Sequence, residues 1–537
     1  MQSSILLAGL AVTFIAAMTA WWWSKGNEDG LPPLAPGCFP VIGHLLALAS
    51  KEPPEKLFLH WSKQIGPIFT LKLGIKRWII LNDATSVKDL IVSRGSIYSS
   101  RDISSVLVDG FFDGGKCLSY ESGGGFAFYP YGKYWRFLRR IGMYNTDRIS
   151  ICPKSQMVTL HPQAHSGLTK KKINDYQPLF DQETHTLLQS MNMEAKDSKS
   201  ALGVPICRLI EDYSMLVVLK IAFGDIMKMK PGDKELQQVF ELTAGAATFL
   251  GPKEQLLEFF PIIKWFLPTQ HSFAVLARNK LFSFYGPLFD KLDKQSAQSS
   301  DCFFKEVIGQ LTHVQRVGFA GVFVGAGSET TASTLQWLTA ILTNYPEIQD
   351  KVFEEIVSVV GKNRLPAATD EDKLVYLQCV ILETLRFRTP TPLGVPHATS
   401  SADVYKNYVI PANATVIVNA YAIHRDPERY TDPGSFLPAR HMKYVTEHDS
   451  THFSQTVEDR PHLAFSTGRR VCVGIHLAER SLFLAAARML ACYRFEGKTE
   501  INRSKDGVST TFAPVPFTVR LVKRHENVDT LITDSLS

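Results

Sequence analysis

A ten-residue stretch near the C-terminus, residues 465–474 with the sequence FSTGRRVCVG, constrains this chain more than any other segment. It places Cys472 on a short loop between Gly468 and Gly474. A strongly apolar run, residues 474–493, follows directly and predicts a buried helix that begins at this loop. Glycine lets a backbone turn tightly and approach a flat group without a Cβ clash. The chain is therefore expected to present one sulfur at the start of a core helix.

The residues around Cys472 suit a haem whose iron takes a thiolate ligand. Such a ligand pushes electron density onto the haem and favours cleavage of an O–O bond. Arg470 is placed to neutralise a haem propionate, and backbone N–H groups around the sulfur would tune its basicity. With Phe465, these residues fit the pattern F-x-x-G-x-R-x-C-x-G. The alternative is a buried core cysteine, which is the commoner fate of a lone Cys.

Composition excludes several classes of protein. The chain has 537 residues, of which 45% are hydrophobic, and a formal net charge of +6. This charge is mild for the length, so the chain is not expected to bind nucleic acid, although a basic docking face is possible on it. The eight cysteines form no C-x-x-C pair, so a zinc site has no support. Their scatter suits a reducing compartment better than a disulfide framework.

The N-terminus predicts a membrane anchor over residues 1–24. Residues 1–23 carry no charged side chain, and they end in three tryptophans, the residues that favour a bilayer interface. Lys25 follows and no Lys or Arg precedes, which places the body of the protein on the cytosolic side. The alternative is a cleaved signal peptide, but a basic first region and a clear cleavage site are missing.

The rest of the chain is predicted to be mainly helical, with few strands. Prolines make residues 25–43 a stiff hinge. A catalytic domain is expected over 44–525 and a frayed, polar tail over 526–537. Further elements are predicted as a β-hairpin at 68–73 and 77–82, helices at 318–345, 346–360 and 371–387, a strand-like stretch at 404–418 with its turn at 411–413, an extended stretch at 426–441, and strands at 510–522.

Residues 145–173 do not fit this pattern, because they lack periodicity and carry scattered His, Pro and Cys. Two interpretations stay open. The segment is either an atypical surface insertion or untranslated sequence retained by a faulty gene model, since long structureless loops are uncommon in compact domains.

The predicted helix over 318–345 contains the polar sequence Ala-Gly-Ser-Glu-Thr-Thr at residues 326–331. Gly325 and Gly327 weaken a helix, and they would let a flat group or dioxygen approach its backbone. Glu329 and Thr330 would place a carboxyl and a hydroxyl beside that opening, where they can supply protons as general acids. The alternative is an ordinary kinked helix with a solvent-facing glutamate.

Two further helical spacings predict paired side chains. Glu383 and Arg386 lie three residues apart, so they can pair on one helix face, although an exposed pair is the default. Trp135 and Arg139 lie four residues apart within a run that also holds Lys133, Arg136 and Arg140. A solvated basic helix is the usual meaning of such a run.

Taken in order, these motifs resemble those of the cytochrome P450 monooxygenases, a haem-thiolate family. The resemblance covers nearly the whole chain outside 145–173 and is closest to microsomal members such as those of fungi. It implies a mainly α fold with a small β-rich region near the N-terminus, preceded by one transmembrane helix. It also implies that Trp135 and Arg139 contact the haem propionates.

The resemblance extends to residues 436–441, whose arginine joins the Glu–Arg helix pair in the family. Glu383, Arg386 and Arg440 would then form a buried ionic triad that holds the cysteine loop. His441 stands where phenylalanine is common in the family. We expect no consequence of that difference, because Arg440 is the paired residue.

The resemblance further implies a function. The chain would bind haem b through Cys472 and insert one oxygen atom from O2 into a lipophilic molecule such as a terpenoid, steroid or polyketide of secondary metabolism. Electrons would come from NADPH through a flavoprotein reductase, with cytochrome b5 as a second partner, because no dinucleotide-binding G-x-G-x-x-G opens a βαβ unit here. The anchor would place the enzyme in the endoplasmic reticulum membrane. Substrate contacts would come from residues 99–112, 241–252, 319–323 and 389–396.

Two other functions stay open. One is a haem-thiolate isomerase or dehydratase that needs no reductase. The other is a haem-binding sensor without catalysis. The Glu329–Thr330 pair argues against both, because a proton relay would have no use in them.

Overall fold

The computed structural model describes residues 30–102, 127–143, 168–196, 203–248, 256–261, 269–294, 302–307, 311–446, 456–497, 499 and 511–534. The predicted anchor over 1–24, the first part of the hinge and residues 145–167 of the predicted insertion lie outside these ranges. Among the helices of the described ranges, none combines the length and the apolar character needed to cross a membrane.

Helices dominate the described residues, as predicted. The α-helices are α1 Leu45–Leu48, α2 Pro54–Ile65, α3 Ala84–Ser86, α4 Gly95–Tyr98, α5 Lys133–Met143, α6 Lys170–Asp175, α7 Gln177–Lys196, α8 Ile206–Phe223, α9 Lys234–Thr248, α10 Leu256–Phe259, α11 Thr269–Lys294, α12 Phe303–Val307, α13 His313–Asn344, α14 Pro346–Val359, α15 Val375–Phe387, α16 Ala420–Ile423, α17 Met442–Thr446, α18 Ile475–Cys492 and α19 Val528–Asp534. A π-helix at Val87–Ser93 and 3₁₀ turns at Gly224–Ile226, Ala368–Lys373, Pro438–His441 and Gly468–Arg470 complete the set.

The longest of the described helices, α13, runs through the main hydrophobic core. Its first turn is closed by a capping box, in which the Thr312 side chain accepts from the Gln315 N–H and the Gln315 side chain accepts from the Thr312 N–H. This box starts the helix five residues before the predicted position at 318. Most of its residues from 328 to 343 are buried, and α8 packs against it along much of its length.

In the described ranges, nine short strands form three sheets: β1 Ile68–Leu73, β2 Lys76–Leu81, β3 Ser100–Arg101, β4 His397–Ala398, β5 Asp403–Tyr405, β6 Tyr408–Ile410, β7 Thr415–Val418, β8 Tyr493–Glu496 and β9 Arg520–Lys523. The largest sheet has the order β1-β2-β7-β4-β3, and β2 pairs with β7 in parallel. The β1–β2 hairpin is as predicted. The sheet is not confined to the N-terminal part, because β4 and β7 come from the second half of the chain.

The strand-like stretch at 404–418 is divided between two sheets. Its hairpin turn lies at Lys406, which has φ of 54°, and joins β5 to β6. Asn413, inside the predicted turn, has φ of 58° and leads the chain into β7 of the large sheet.

The hinge is fixed where the structure describes it. The Thr70 N–H donates to the Pro33 carbonyl at 2.8 Å, and the Ala35 N–H donates to the Thr70 carbonyl at 3.0 Å. The proline-rich segment therefore runs beside β1, and Ala35 is buried against the sheet.

The C-terminal segment differs from its prediction in two places. Residues 511–519 form no regular strand, because the Phe512 carbonyl accepts hydrogen bonds from Ser333 Oγ and Trp337 Nε1 of α13, each at 2.7 Å. Residues 526–537 were expected to be a frayed polar tail, but they contain helix α19. Val528 and Ile532, one helical turn apart, are buried in the main core.

Candidate active site

The cysteine loop is a compact turn held by its own backbone. The Ser466 N–H donates to the Leu463 carbonyl at 2.9 Å, and the Cys472 N–H donates to the Phe465 carbonyl at 2.9 Å. Helix α18 then begins directly after Gly474. Burial raises the pKa of the Cys472 thiol, whereas a hydrogen bond from the Gly474 N–H and the charge of Arg139 act to lower it. The sulfur therefore already has an amide donor that would stabilise a thiolate.

Gly468 has a packing role that the sequence did not predict. Its φ is +62°, and a Cβ there would lie 2.7 Å from the Ile91 carbonyl oxygen of the π-helix. The glycine therefore allows close contact between the loop and that helix. Its expected role beside a flat ligand stays a prediction. At Gly474 a Cβ would meet only the Cys472 sulfur, at 4.0 Å.

Gly468→Ala is expected to destabilise the protein by roughly 1–3 kcal/mol, because alanine is strained at this φ and the Ile91 backbone cannot move aside easily. Denaturant unfolding and haem content per polypeptide measure the effect. The matched control is Gly286→Ala in α11, where a new methyl group meets only His313 Nε2 at 3.7 Å. Equal midpoints for the two variants would contradict this account.

Three arginines line one cavity together with the cysteine loop: Arg101 from β3, Arg139 from α5 and Arg470 from the loop itself. Arg470 donates from Nε to the Ser99 carbonyl at 2.8 Å and from Nη2 to the Tyr129 carbonyl at 2.6 Å. Burial, reinforced by the charges of Arg101 and Arg139, lowers the pKa of Arg470 to about 8. Burial and the charge of Arg139 lower the pKa of Arg101 to about 9.

Two of these cations keep a donor free within the described residues. Arg470 Nη1 and Arg101 Nε are buried without a hydrogen-bond partner there. A buried donor left unpaired costs free energy, and the cost is larger for a charged group. The cluster therefore suits an anionic ligand with several acceptor oxygens.

Helix α5 presents the predicted pair to this cluster. Trp135 is buried, and its ring lies 4.2 Å from the Arg470 guanidinium carbon and 5.4 Å from that of Arg139. Arg139 Nη2 donates to the Val471 carbonyl beside the cysteine, at 2.7 Å. Lys133 and Arg136 are exposed, whereas the Arg140 side chain lies outside the described part.

Helix α13 supplies a further wall of the same cavity, and its two predicted site residues point to different places. Thr330 lines the cavity, and its hydroxyl donates to the Ala326 carbonyl at 2.7 Å. Glu329 does not line it. This buried carboxyl accepts from Thr511 Oγ1 at 3.3 Å and also from Thr243 of α9. Burial raises the pKa of Glu329 to about 7, although both threonines act to lower it.

Gly325 and Gly327 allow neighbouring helices to pack closely against α13. A Cβ at Gly325 would lie 3.1 Å from Thr243, and a Cβ at Gly327 would lie 3.1 Å from Val218 of α8. A Cβ at either position would point towards a neighbouring helix, but Gly327 also lines the cavity, so the interpretation that these glycines admit a flat group or dioxygen stays a prediction. They let α8 and α9 approach α13 closely.

The cavity has a volume of about 270 Å³ and is mainly apolar. Its polar lining within the described residues is limited to the arginines, His397, hydroxyl groups and Cys472. The 389–396 segment contributes as predicted, through Pro390, Thr391, Gly394 and Val395. Phe323 also lines the cavity, whereas Phe319 is buried in an aromatic cluster with Phe303 and Phe304.

An ionic cluster beneath the loop brings together Glu383, Arg386 and Arg440. Arg386 donates two hydrogen bonds to the Glu383 carboxylate, from Nε at 2.7 Å and from Nη2 at 2.8 Å. Arg440 Nε lies 3.2 Å from Glu383 Oε1. Burial would raise the pKa of Glu383, but the bonds from Arg386 and His441 outweigh it and hold that pKa below its usual range.

The expectation that His441 has no consequence is wrong. His441 is fully buried, and its Nε2 lies 2.8 Å from Glu383 Oε2. Arg440, in contrast, gives most of its donors to backbone, including the Thr431 carbonyl at 2.6 Å and the Asp432 carbonyl at 3.0 Å. The histidine is therefore a fourth member of this cluster.

His424 connects the cluster to the cysteine loop. Arg386 Nη1 donates to the His424 carbonyl at 2.7 Å. The His424 ring in turn accepts from the Leu463 N–H at 2.8 Å, where the loop begins. The position of the loop is thus coupled to the Glu383–Arg386 pair through two hydrogen bonds.

The chain matches a known protein family over most of its length. The family model described as Cytochrome P450 matches residues 32–148 and 153–521. The chain belongs to the cytochrome P450 family. It is an enzyme of the P450 monooxygenase type.

Several fungal P450 monooxygenases are similar along most of their length. The monooxygenase fogE of Aspergillus ruber is 29% identical, over 97% of this chain and 93% of that protein. The monooxygenase verL of Clonostachys rogersoniana is 28% identical, over 87% of this chain and 81% of that protein. A zebrafish P450 structure with progesterone superposes with a TM-score of 0.69 at 22% identity, covering 88% of this chain and all of that one, which shows the fold.

The residues of this P450 fit the haem that the family implies. Cys472 offers a sulfur with an amide donor beside it. The donors of Arg101 and Arg470 that no described residue bonds suit two propionate groups. The apolar remainder of the cavity suits a flat macrocycle. When bound there, the haem supplies iron chemistry that activates dioxygen.

Four residues of the P450 site were missed by the motifs: Arg101, His397, His424 and His441. His397 lines the cavity, and its Nδ1 donates to the Tyr98 carbonyl at 2.8 Å. No local sequence pattern marks Arg101, His397 or His424, because each stands alone in its segment. His441 did carry one, the histidine in place of the family's phenylalanine.

Proposed function

We propose that this P450 inserts one oxygen atom of O2 into a lipophilic small molecule and reduces the other atom to water, with electrons from NADPH. The observation that carries the proposal is one cavity lined by Cys472, by the Thr330 hydroxyl and by two arginines that each have a buried donor without a partner among the described residues. Cys472 would hold the iron, whereas Arg101, Arg139 and Arg470 would hold the propionates.

The substrate is inferred to be lipophilic because the charged groups that line the cavity are all assigned to the haem. The remaining wall includes Val322, Ala326, Val395, Val418 and Ala420. Terpenoid, steroid and polyketide skeletons of secondary metabolism have this character. An anionic substrate would compete with the propionates for the same arginines.

Protons are proposed to reach the cavity through α13. Thr330 presents its hydroxyl to the cavity, and it can orient a water molecule that donates a proton. Glu329 has a pKa raised to about 7, so it is a reservoir that both takes up and releases protons near neutral pH. Because its carboxyl bonds to Thr511, it must turn about its side-chain torsions to serve Thr330 directly.

A flavoprotein reductase is the proposed electron source, and cytochrome b5 is a second candidate partner. Helix α5 supports this, because Lys133 and Arg136 are exposed on the same helix whose Trp135 and Arg139 line the cavity. A partner docked on that face would be close to the haem edge.

The proposed location is the endoplasmic reticulum membrane, with a single span and a cytosolic catalytic domain. The support is the uncharged, apolar character of residues 1–23 followed by Lys25. Carbonate extraction of membranes carrying the full chain tests this, and complete release of the protein would refute an integral anchor.

Reconstitution with a reductase tests the activity. Purified haem-loaded enzyme is supplied with NADPH, reductase, dioxygen labelled with heavy oxygen and an extract of lipophilic metabolites. One labelled atom per product molecule, dependent on reductase, is expected. Conversion of organic peroxides without NADPH would instead favour the isomerase or dehydratase. Haem binding without turnover of any compound would favour the sensor.

A further inference from the structure

The Glu383 carboxylate is fully bonded only because His441 contributes. Its Oε1 accepts from Arg386 Nη2 and from the Leu437 N–H, each at 2.8 Å. Its Oε2 accepts from Arg386 Nε at 2.7 Å and from His441 Nε2 at 2.8 Å. An ionised carboxylate has no hydrogen to donate, so His441 Nε2 carries the shared hydrogen.

His441 acts on the same oxygen as Arg386 Nε, from a different part of the chain. Arg386 belongs to α15, whereas His441 ends the 3₁₀ turn Pro438–His441. Together they fix the plane of the carboxylate. That plane sets the direction of Arg386, which also donates to the Pro433 and Ser435 carbonyls, each at 3.1 Å.

We propose that His441 is a positioning residue for the haem-thiolate loop, which it holds through Glu383, Arg386 and His424. A phenylalanine here fills space but donates no hydrogen bond. The loss of one donor to a buried carboxylate leaves Oε2 partly unsatisfied. The Arg386 guanidinium is then less firmly oriented towards the His424 carbonyl, and the start of the loop at Leu463 is less firmly held.

The surroundings of His441 favour its neutral form. Glu383 and Arg386 face it from α15, Arg440 is its neighbour in the chain, and the Tyr444 ring of α17 lies 6.0 Å away. Its Nδ1 is buried and has no hydrogen-bond partner among the described residues. Burial lowers the pKa of His441 below 6.5, and Arg386 and Arg440 act in the same direction, whereas Glu383 opposes them.

The sign of the pH effect follows. Because the folded-state pKa lies below the unfolded value near 6.5, the unfolded chain binds the proton more readily. The contribution of His441 to stability is therefore full above that pH and is lost as the pH falls below it. Retention of the thiolate ligand should be acid-sensitive in the same range.

The test compares His441→Phe with His441→Gln in the haem-loaded enzyme. The glutamine amide can replace the Nε2 donor but does not titrate. The readouts are the rate at which the thiolate-type spectrum of the reduced carbonyl complex is lost, measured across pH, and the denaturant midpoint. Met442→Leu, a change at the exposed neighbouring residue, is the matched control.

At neutral pH the phenylalanine variant should lose the thiolate signature about tenfold faster than the wild type. The rate of loss in the glutamine variant should be within about twofold of the wild-type rate. Below pH 6.5 the loss should accelerate more in the wild type than in the glutamine variant, in which His424 still titrates but residue 441 does not. The proposal would be overturned if the phenylalanine variant lost the thiolate-type spectrum no faster than the wild type. Equal loss in both variants would also overturn it, because ring packing and not the hydrogen bond would then be responsible. If the phenylalanine variant does not fold, the acid profile of the glutamine variant still decides.

Discussion

Cys472→Ala is expected to abolish the thiolate-type spectrum of the reduced carbonyl complex and to lower haem content severely. The sulfur is the proposed iron ligand. Among the described cysteines only Cys472 lines the cavity, whereas Cys207, Cys302, Cys379 and Cys492 are buried elsewhere. The red-shifted carbonyl absorbance depends on the sulfur, so its loss should be complete.

The control is Cys492→Ala at the far end of α18. That side chain is fully buried in the main core, so the variant should lose some stability through the cavity it leaves, with an unchanged spectrum. A normal carbonyl spectrum in Cys472→Ala would show that another group ligates the iron.

Thr330→Ala is expected to separate NADPH consumption from product formation. The hydroxyl lines the cavity and is held by its bond to the Ala326 carbonyl, so it can hold a water molecule in a fixed place. Without it, proton delivery slows and reduced oxygen leaves as hydrogen peroxide. The amount of product formed per NADPH consumed should fall by about one to two orders of magnitude. This effect is at or below the low end of the rate enhancement that a general acid typically provides.

Thr334→Ala is the matched control for this experiment. Thr334 lines the same cavity one turn further along and makes the same kind of bond, to the Thr330 carbonyl at 2.8 Å. Its side chain is almost fully buried, whereas that of Thr330 is half-buried, so the Thr334 hydroxyl is less open to a water molecule. The readouts are peroxide, NADPH and product, with a substrate identified in the reconstitution. Substrate binding and haem reduction should be unchanged in both variants. Full coupling in Thr330→Ala would remove Thr330 from the relay and strengthen the isomerase or dehydratase alternative.

Glu329 and Thr330 of α13 show that neighbouring residues of one sequence motif can face different places in the structure. Adjacent residues on a helix point about 100° apart, since 3.6 residues make one turn. The rotation of α13 against α8 and α9 decides which of them faces the cavity, and that rotation depends on packing at Gly325 and Gly327. The sequence motif identified both residues as a pair, but packing sends Glu329 towards Thr243 and Thr511.

The sequence alone determined those features whose partners lie close together in the chain. The cysteine loop, the Glu383–Arg386 spacing, the β1–β2 hairpin and helix α18 are all local, and local geometry follows from glycine positions and residue periodicity. The mainly helical P450 fold could also be predicted, because the motifs follow the family's order.

Only the tertiary structure decided which distant residues complete the site. Arg101, His397 and Arg470 come from three separate segments, and their cluster exists only because β3, β4 and the cysteine loop converge. The same holds for His441, whose hydrogen bond to Glu383 joins residues 58 positions apart. Burial is what gives these groups their effect, since charges and donors removed from water must be satisfied within the protein, and no local pattern shows which ones will be buried together.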